Sequence, residues 1–238
     1  MNSNGLKIGG FQKNSLIDYP GKISCVIFLS GCNFICPYCH NPLLLKENGF
    51  SIDANNIYDF LKSRKGLIDA AVISGGEPTL QKELLSFCEK IKEIGYLVKL
   101  DTNGSHPTVI RDLINKGLID YIAMDIKTDP LDTMRYSSLI REDCSSEHIL
   151  ESIRVIMESA VPYEFRTTCV KPFINENTVE TITRNVIHGA KRYILQEFHH
   201  AEILNPLFFK DEEDFYSFDK LKAFKAIADK SVHKCIIR

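Results

Sequence analysis

The sequence predicts an α/β fold with a parallel sheet and helices outside it, and two regularities lead to this prediction. Short apolar runs alternate six times with segments whose apolar residues recur at helical spacing. Glycine-rich or acidic motifs follow several of the apolar runs, where α/β barrels collect their functional groups. Because right-handed crossovers bring the carboxyl ends of parallel strands to one rim, the pattern suits an incomplete (β/α)6 TIM-type barrel.

The predicted elements follow one another without a Gly/Ser linker. Strands are expected at 26–29, 68–74, 97–100, 121–126, 163–170 and 192–198, with a short last strand at 233–237. The first helix is expected after the capping segment Ser51-Ile52-Asp53, with Ile57, Phe60 and Leu61 inward, and later helices at 80–94, 108–116, 147–159, 177–188 and 218–228. Residues 127–145 are expected to be irregular.

Two parts of the chain are distinguished. Residues 1–21 are predicted to form a turn-rich N-terminal lead-in arm that ends at Pro20-Gly21. Residues 22–238 are predicted to form a single domain, because a chain of 238 residues is long enough for one well-buried core and short for two.

Composition restricts the classes of function. A net charge of −2 with 25% charged residues gives no electrostatic footprint for nucleic acid or an anionic membrane. The chain shows no apolar run long enough to span a membrane and no signal or transit peptide, so we expect it in the cytoplasm. There, its eight cysteines are expected to stay reduced.

Three cysteines in the stretch 31–42 indicate a metal centre. Cys32, Cys36 and Cys39 have a C-x3-C-x2-C spacing directly after the first predicted strand. A structural zinc ion needs four ligands, but His40 is adjacent to Cys39 and a second C-x2-C pair is missing. A [4Fe-4S] cluster can be held by three cysteines with one iron left open, so the spacing favours that cluster, with zinc as the main alternative.

With Tyr38 before its last cysteine, this loop resembles the signature of the radical S-adenosylmethionine (SAM) enzymes. The string 15–21, Ser-Leu-Ile-Asp-Tyr-Pro-Gly, resembles one branch of that family, the anaerobic ribonucleoside-triphosphate reductase activating proteins. The resemblance implies an incomplete barrel in which SAM binds the open iron and is cleaved by one electron to methionine and a 5′-deoxyadenosyl radical. That radical then removes a hydrogen atom from a glycine of a partner protein.

The resemblance also implies the partners. The partner would be a glycyl radical enzyme, the large subunit of an anaerobic ribonucleotide reductase, and a flavodoxin or ferredoxin would supply the electron. Three alternatives stay open: activation of another glycyl radical enzyme of the formate-lyase type, a small-molecule radical SAM enzyme, and an iron-sulfur electron-transfer protein. The last of these would leave the motif at 75–78 unexplained.

The motif after the second predicted strand is Gly75-Gly76-Glu77-Pro78. Two glycines let the backbone approach a ligand closely, and a carboxylate can accept from an ammonium group. Taken alone, the motif is more often a simple turn. In this position it resembles the family motif that holds the methionine amino group of SAM.

Further candidate residues follow the later strands. The resemblance implies that Asp101 and Thr102 lie by the methionine moiety, and it allows a bound monovalent cation there, whereas an ordinary turn is the structural alternative. Asp125 and Lys127 lie two apart on one strand, which predicts a salt bridge, and the resemblance implies contacts with the ribose hydroxyls and carboxylate of SAM. Arg166 stands in an apolar strand and must pair with a carboxylate, such as Asp101 or that of the substrate.

The remaining expectations concern the sixth strand and the other cysteines. Segment 195–199 resembles the part of the family that packs against adenine, and His199, or the adjacent His200, is predicted to contact the adenosine. Cys25, Cys88 and Cys169 are predicted in the core, Cys144 exposed, and Cys235 in the last strand without an assigned role.

Overall fold

Eight strands form one sheet in the part of the chain that the computed structural model describes, residues 5–45, 51–141, 144–199, 202–209 and 215–238. Each strand lies beside its neighbours in sequence, and β1 and β8 are the edges of the sheet. Pairing is parallel from β2 to β8, and β1 runs antiparallel to β2. In chain order the strands are β1 Ile8–Ser15, β2 Ser24–Leu29, β3 Ala70–Gly75, β4 Leu97–Thr102, β5 Tyr121–Asp125, β6 Tyr163–Thr168, β7 Tyr193–Gln196 and β8 Cys235–Ile237.

Helices connect the parallel strands. They are α1 Ala54–Ser63, α2 Leu84–Ile94, α3 Pro107–Asn115, α4 Thr133–Ser137, α5 Ser146–Glu158, α6 Glu176–Thr181 and α7 Phe218–Ala228. Asp53 caps α1 by accepting from the backbone N–H of Asn55 at 2.8 Å, as the capping segment predicted. Helix α6 continues as a π-helical turn over Ile182–Val186. None of the helices in the described ranges has the length and apolar character that a membrane crossing requires.

The fold class is confirmed, and the details differ at two places. The six predicted strand–helix units and the short last strand are present, in an open barrel of parallel strands. Strand β1 was not predicted. It lies at the edge of the sheet, and its glycines and exposed polar residues give no regular alternation of apolar and polar side chains. Helix α4 lies inside a segment predicted to be irregular. The boundary between residues 21 and 22 stays a prediction, although β1 joins the same sheet as the rest.

The two faces of the sheet differ in polarity. On β4 and β5 the residues that pack against the helices are apolar and fully buried, as with Val98, Leu100 and Ile122. The alternate residues face the concave side, where Lys99 and Asp101 lie on β4. Toward the amino ends of the strands, a separate apolar cluster that includes Tyr19 lies on this concave side. The interior is not wholly apolar there, because the fully buried Glu164 of β6 pairs with Arg238.

The cysteines outside the loop of residues 31–42 occupy the places that were predicted for them, with one exception. Cys25, Cys88 and Cys169 are buried, and Cys235 lies buried in β8. Cys144 was predicted to be exposed but is half-buried. None of the eight cysteines forms a disulfide.

Helix α7 provides a test of the packing that closes the last part of the sheet. Phe224→Ala should lower the free energy of unfolding by about 3–5 kcal/mol, because it removes a fully buried ring and leaves a cavity. The control Phe218→Ala, on the same helix but with a side chain that is 52% exposed, should change it by less than about 1 kcal/mol. Urea unfolding of the iron-free protein, followed by circular dichroism, measures both values. Equal losses would contradict this packing.

Candidate active site

A cavity of about 390 Å³ opens at the carboxyl ends of the strands and brings the candidate residues together. It forms where the loops that follow β2, β3, β4 and β5 meet the ends of β6 and β7. All predicted site residues line it except Glu77: Cys32, Cys36, Cys39, Gly75, Gly76, Asp101, Thr102, Asp125, Lys127, Arg166 and His199.

Backbone hydrogen bonds stabilise the conformation of the cysteine loop, residues 31–42. The N–H of Gly31 donates to the carbonyl of Leu44 at 2.7 Å, and the N–H of Cys39 donates to the carbonyl of Cys36 at 3.0 Å. Two further N–H groups point at sulfur, from Phe34 to Cys32 Sγ and from Asn41 to Cys39 Sγ, each at 3.4 Å. The loop therefore already supplies hydrogen-bond donors to its thiols.

The chemistry of these donors fits an iron-sulfur cluster. Burial raises the pKa of the Cys32 thiol to about 12 and that of Cys36 to about 11, so bare thiolates are unfavourable there without a cation that neutralises them. Within the described ranges, no three His, Cys, Asp or Glu side chains converge on a position for one metal ion. A four-iron cluster binds each thiolate on a different iron, and this spread of donors suits it better than a single zinc ion.

His40 is the nearest candidate for a fourth zinc ligand, but its side chain packs on an aromatic ring. Its imidazole lies 4.8 Å from the ring of Phe198, centroid to centroid. Burial lowers the pKa of His40 and so disfavours its charged form.

Gly75 and Gly76 let the loop after β3 pack directly on the loop after β2. Gly75 has a φ of +124°, and a Cβ there would lie 2.3 Å from the carbonyl oxygen of Leu29. A Cβ on Gly76 would lie 2.0 Å from the carbonyl oxygen of Gly31. Instead, the N–H of Glu77 donates to that oxygen at 2.8 Å. The two glycines thus let the chain approach the backbone that carries the cysteines. The close approach to a ligand stays a prediction.

Glu77 lies behind the cavity wall. Its side chain is fully buried and accepts hydrogen bonds from Thr79 N at 3.0 Å, Thr102 Oγ1 at 2.8 Å and Asn103 N at 2.6 Å. Burial raises the pKa of Glu77, and these hydrogen bonds offset part of that rise. Because both carboxylate oxygens already accept from the chain, Glu77 joins the loops after β3 and β4. Its predicted contact with an ammonium group stays a prediction.

Four of the predicted residues form one connected ion-pair network on the floor of the cavity. Arg166 Nε donates to Asp125 Oδ1 at 2.7 Å, and Arg166 NH1 lies 3.4 Å from Asp101 Oδ2. Lys127 Nζ donates to Asp125 Oδ2 at 2.8 Å, and Lys99, two residues earlier on β4, pairs with Asp101 Oδ1. The pairing predicted for Arg166 and the salt bridge predicted between Asp125 and Lys127 are both present.

Charge keeps this network ionised. Burial alone would raise the pKa values of Asp101 and Asp125, but Arg166 and a neighbouring lysine outweigh it and lower both. The pKa values of Lys127 and Arg166 are raised, because their carboxylate partners outweigh the effect of burial. Within the network three cations, counting Lys99, face two carboxylates. One positive charge is left unmatched by the network, which suits a ligand with an anionic group.

The structure adds six polar residues to the cavity wall to which sequence reasoning assigned no role. They are Asn41, Ser74, Asn103, Thr168, Gln196 and Glu197. Ser74 donates to Asp101 Oδ2 at 3.1 Å, and Thr168 follows two residues after Arg166, on the same face of the strand. The period of two along each strand was the signal that could have found Ser74 and Thr168. His199 lines the cavity, and its contact with adenosine stays a prediction. His200 lies outside the described residues.

The contact between the loops that follow β2 and β3 can be tested with a substitution that adds one methyl group. Gly76→Ala would bring Cβ against the Gly31 oxygen, and we expect this overpacking to destabilise the cysteine loop by about 1–3 kcal/mol. After anaerobic reconstitution, the variant should hold less iron per chain than the unmodified protein. The control Gly10→Ala, whose Cβ would have its nearest contact at 3.4 Å, should hold a normal amount. Equal iron contents would contradict the proposed contact.

Comparison with known proteins identifies the family. The model of the radical SAM superfamily matches residues 26–185. A protein of Methanocaldococcus jannaschii that is named as a glycyl-radical enzyme activating enzyme is 38% identical over 237 residues, which cover 97% of this chain and 95% of that protein. The pyruvate formate-lyase-activating enzyme of Listeria monocytogenes is 33% identical over 132 residues, which cover 51% of this chain and 53% of that enzyme.

A solved structure agrees with the fold. Streptococcus suis SuiB bound to S-adenosylmethionine superposes with a TM-score of 0.64 at 15% identity, covering 87% of this chain and 48% of that chain. The radical SAM family uses a [4Fe-4S] cluster and SAM, the two cofactors that the cysteine loop led us to expect. The chain therefore belongs to the radical SAM superfamily of enzymes and, through its near full-length relative, to the branch of the glycyl-radical enzyme activating enzymes.

Proposed function

We propose that this enzyme generates a glycyl radical on the large subunit of an anaerobic ribonucleoside-triphosphate reductase. The match over 97% of the chain to a protein named as a glycyl-radical enzyme activating enzyme carries the general part of this proposal. The string 15–21, which resembles the reductase-activating branch, supports the choice of the reductase. We further propose that the protein works in the cytoplasm and receives its electron from a flavodoxin or ferredoxin.

The arrangement of the cavity supports roles for the chain's own residues. Cys32, Cys36 and Cys39 would hold the [4Fe-4S] cluster. When bound, the cluster and SAM supply a one-electron cleavage of the sulfonium and hence a carbon-centred radical, which is chemistry that no side chain of this protein could provide. The protein would contribute binding, orientation and a site sheltered from water.

The network on the cavity floor supplies charges for the ends of SAM. Lys127 and Arg166 present the unmatched positive charge, which would attract the carboxylate of the methionine moiety. Asp125 holds both cations in place and keeps its own charge, because its pKa is lowered. The backbone of Gly75 and Gly76 lies beside the cysteine loop, where the amino group of SAM would bind. We assign these contacts to SAM as part of the proposal.

The ends of β6 and β7 would accept the adenosine. Thr168, Gln196 and His199 line the cavity there and offer hydroxyl, amide and imidazole groups to a ribose and a base. We therefore propose His199 as the adenosine contact, together with two residues that the sequence analysis did not select.

Activation of a formate-lyase type enzyme is the second candidate. The 33% identity to the Listeria pyruvate formate-lyase-activating enzyme favours it, although that match covers only 51% of this chain. The two candidates share the cluster, the cosubstrate and the cavity. They differ only in the protein that docks at the rim, so the test must compare protein partners.

The decisive test uses the anaerobically reconstituted enzyme with dithionite and SAM. We expect formation of 5′-deoxyadenosine, and we expect a glycyl radical signal in electron paramagnetic resonance when an anaerobic ribonucleotide reductase is added. Pyruvate formate-lyase, added in a parallel sample, should give no such signal. A radical on pyruvate formate-lyase alone would replace the proposal with the second candidate, and 5′-deoxyadenosine without a radical on either partner would refute both.

The cation-holding role of Asp125 gives a separate prediction. Asp125→Asn removes the charge shared by Arg166 and Lys127, so both cations should shift and the rate of 5′-deoxyadenosine formation should fall by about 10²-fold. The control Asp59→Asn, with a side chain that is 74% exposed on α1, should leave the rate unchanged. Iron content is measured in both variants so that loss of the cluster can be distinguished. An unchanged rate in the Asp125 variant with a full cluster would refute this role.

A further inference from the structure

Three buried side-chain atoms in the described residues have no hydrogen-bond partner, and all three lie in the cysteine loop or on a residue that packs against it. They are Asn33 Nδ2, Tyr38 Oη and Tyr136 Oη. Buried polar groups in proteins are nearly always paired, because an unpaired one costs about 1–3 kcal/mol. Each of these atoms carries hydrogen and can donate. Their grouping at one place points to a common acceptor that the polypeptide itself does not contain.

Tyr38 stands between Cys36 and Cys39 and lines the cavity. Its side chain is buried, with its ring 5.7 Å from that of Phe173 and 6.2 Å from that of Phe208, so the phenol has little freedom to turn toward solvent. The hydroxyl is therefore held inside the protein, in the loop that carries the cysteines.

Tyr136 reaches the same loop from α4. It is fully buried, and its ring packs edge-on against Phe34 at 6.2 Å. Backbone bonds hold the following segment to the loop, from Ile35 N to Leu139 O and from Arg141 N to Asn33 O, both at 2.8 Å. Burial raises the pKa of Tyr136, and the backbone N–H of Lys127, which points at the hydroxyl oxygen, offsets part of that rise. An N–H can only donate, so the hydroxyl hydrogen still has no acceptor.

Asn33 follows Cys32 directly, and its amide cannot simply turn over. Its Oδ1 accepts from Asn103 Nδ2 at 3.0 Å and from Ser105 Oγ at 3.3 Å. These two bonds fix the carbonyl side of the amide, and the NH₂ side is left to donate elsewhere. Asn103 Nδ2 also lies 4.0 Å from Cys32 Sγ, at the limit of a hydrogen bond to sulfur.

We propose that Tyr38, Tyr136 and Asn33 donate hydrogen bonds to the sulfurs of the [4Fe-4S] cluster and its thiolates, and that they thereby raise its reduction potential. Sulfide and thiolate are acceptors, and hydrogen bonds to them are one of the factors that set the potential of such clusters. Reduction adds negative charge to the cluster. Burial makes this added charge unfavourable, and hydrogen-bond donors to sulfur stabilise it. The N–H groups of Phe34 and Asn41 already donate to two of the cysteine sulfurs.

The inference concerns the cluster alone and does not depend on which protein receives the radical. Its test compares Tyr38→Phe, Tyr136→Phe and the double variant, each of which removes only hydroxyl oxygen. Tyr193→Phe is the control, because Tyr193 is equally buried but its hydroxyl donates to Thr167 Oγ1 at 2.8 Å. The reconstituted proteins are titrated under anaerobic conditions without SAM or partner, and the reduced cluster is followed by electron paramagnetic resonance.

We expect a more negative potential in each single variant and the largest shift in the double variant. A tenfold fall in the equilibrium constant for reduction corresponds to about 59 mV for this one-electron couple, and we expect a shift of that order in the double variant. The control should match the unmodified protein. A double variant with full iron content and an unchanged potential would overturn the inference.

A second measurement uses the unmodified protein and so does not require a stable variant. Iron–sulfur stretching bands are recorded by resonance Raman spectroscopy in H₂O and in D₂O. Donors to sulfur should make these bands sensitive to deuterium, and the sensitivity should be smaller in whichever tyrosine variants bind iron. Bands that are identical in the two solvents would overturn the inference, whether or not the enzyme activates a reductase.

Discussion

The buried ion-pair network centred on Arg166 is the constraint on which the site depends. Its guanidinium pairs with Asp125 on the neighbouring strand β5 and with Asp101 on β4. A charge buried in a barrel interior is tolerated only when it is paired, and removing one partner usually costs more than the pair contributes. The network therefore fixes the relative positions of three strand ends. It also leaves an unmatched positive charge facing the cavity.

The loops above this floor are positioned by a different kind of contact. Gly76 lets the loop after β3 touch the backbone of the cysteine loop, and Glu77 connects that loop to the one after β4 through Thr102 and Asn103. The three loops thus form one hydrogen-bonded layer. The cysteines lie in this layer and the ion-pair network lines the same cavity, so the backbone holds the cysteine loop and the network in a fixed relation.

The same layer explains why the surroundings of the cysteines are both buried and polar. Burial alone makes free thiolates and extra negative charge unfavourable, as the raised pKa values of Cys32 and Cys36 indicate. Backbone N–H groups, and the hydroxyl and amide donors left unpaired around the loop, counter that effect. A site that must accept an electron needs such donors if it is also to exclude water.

The sequence by itself determined the fold class, the cysteine loop and most of the cavity residues, because these depend on local patterns. Periodicity marked the six parallel strands, and the motifs that follow them had to share one rim. The sequence could not locate β1, whose single pairing leaves little pattern, or show that Glu77 turns away from the cavity. Nor could it show that Tyr136 lies near Cys36, since residues 100 positions apart meet only when the chain folds. The tertiary structure alone decided these points, because burial and hydrogen-bond partners depend on which distant segments pack together.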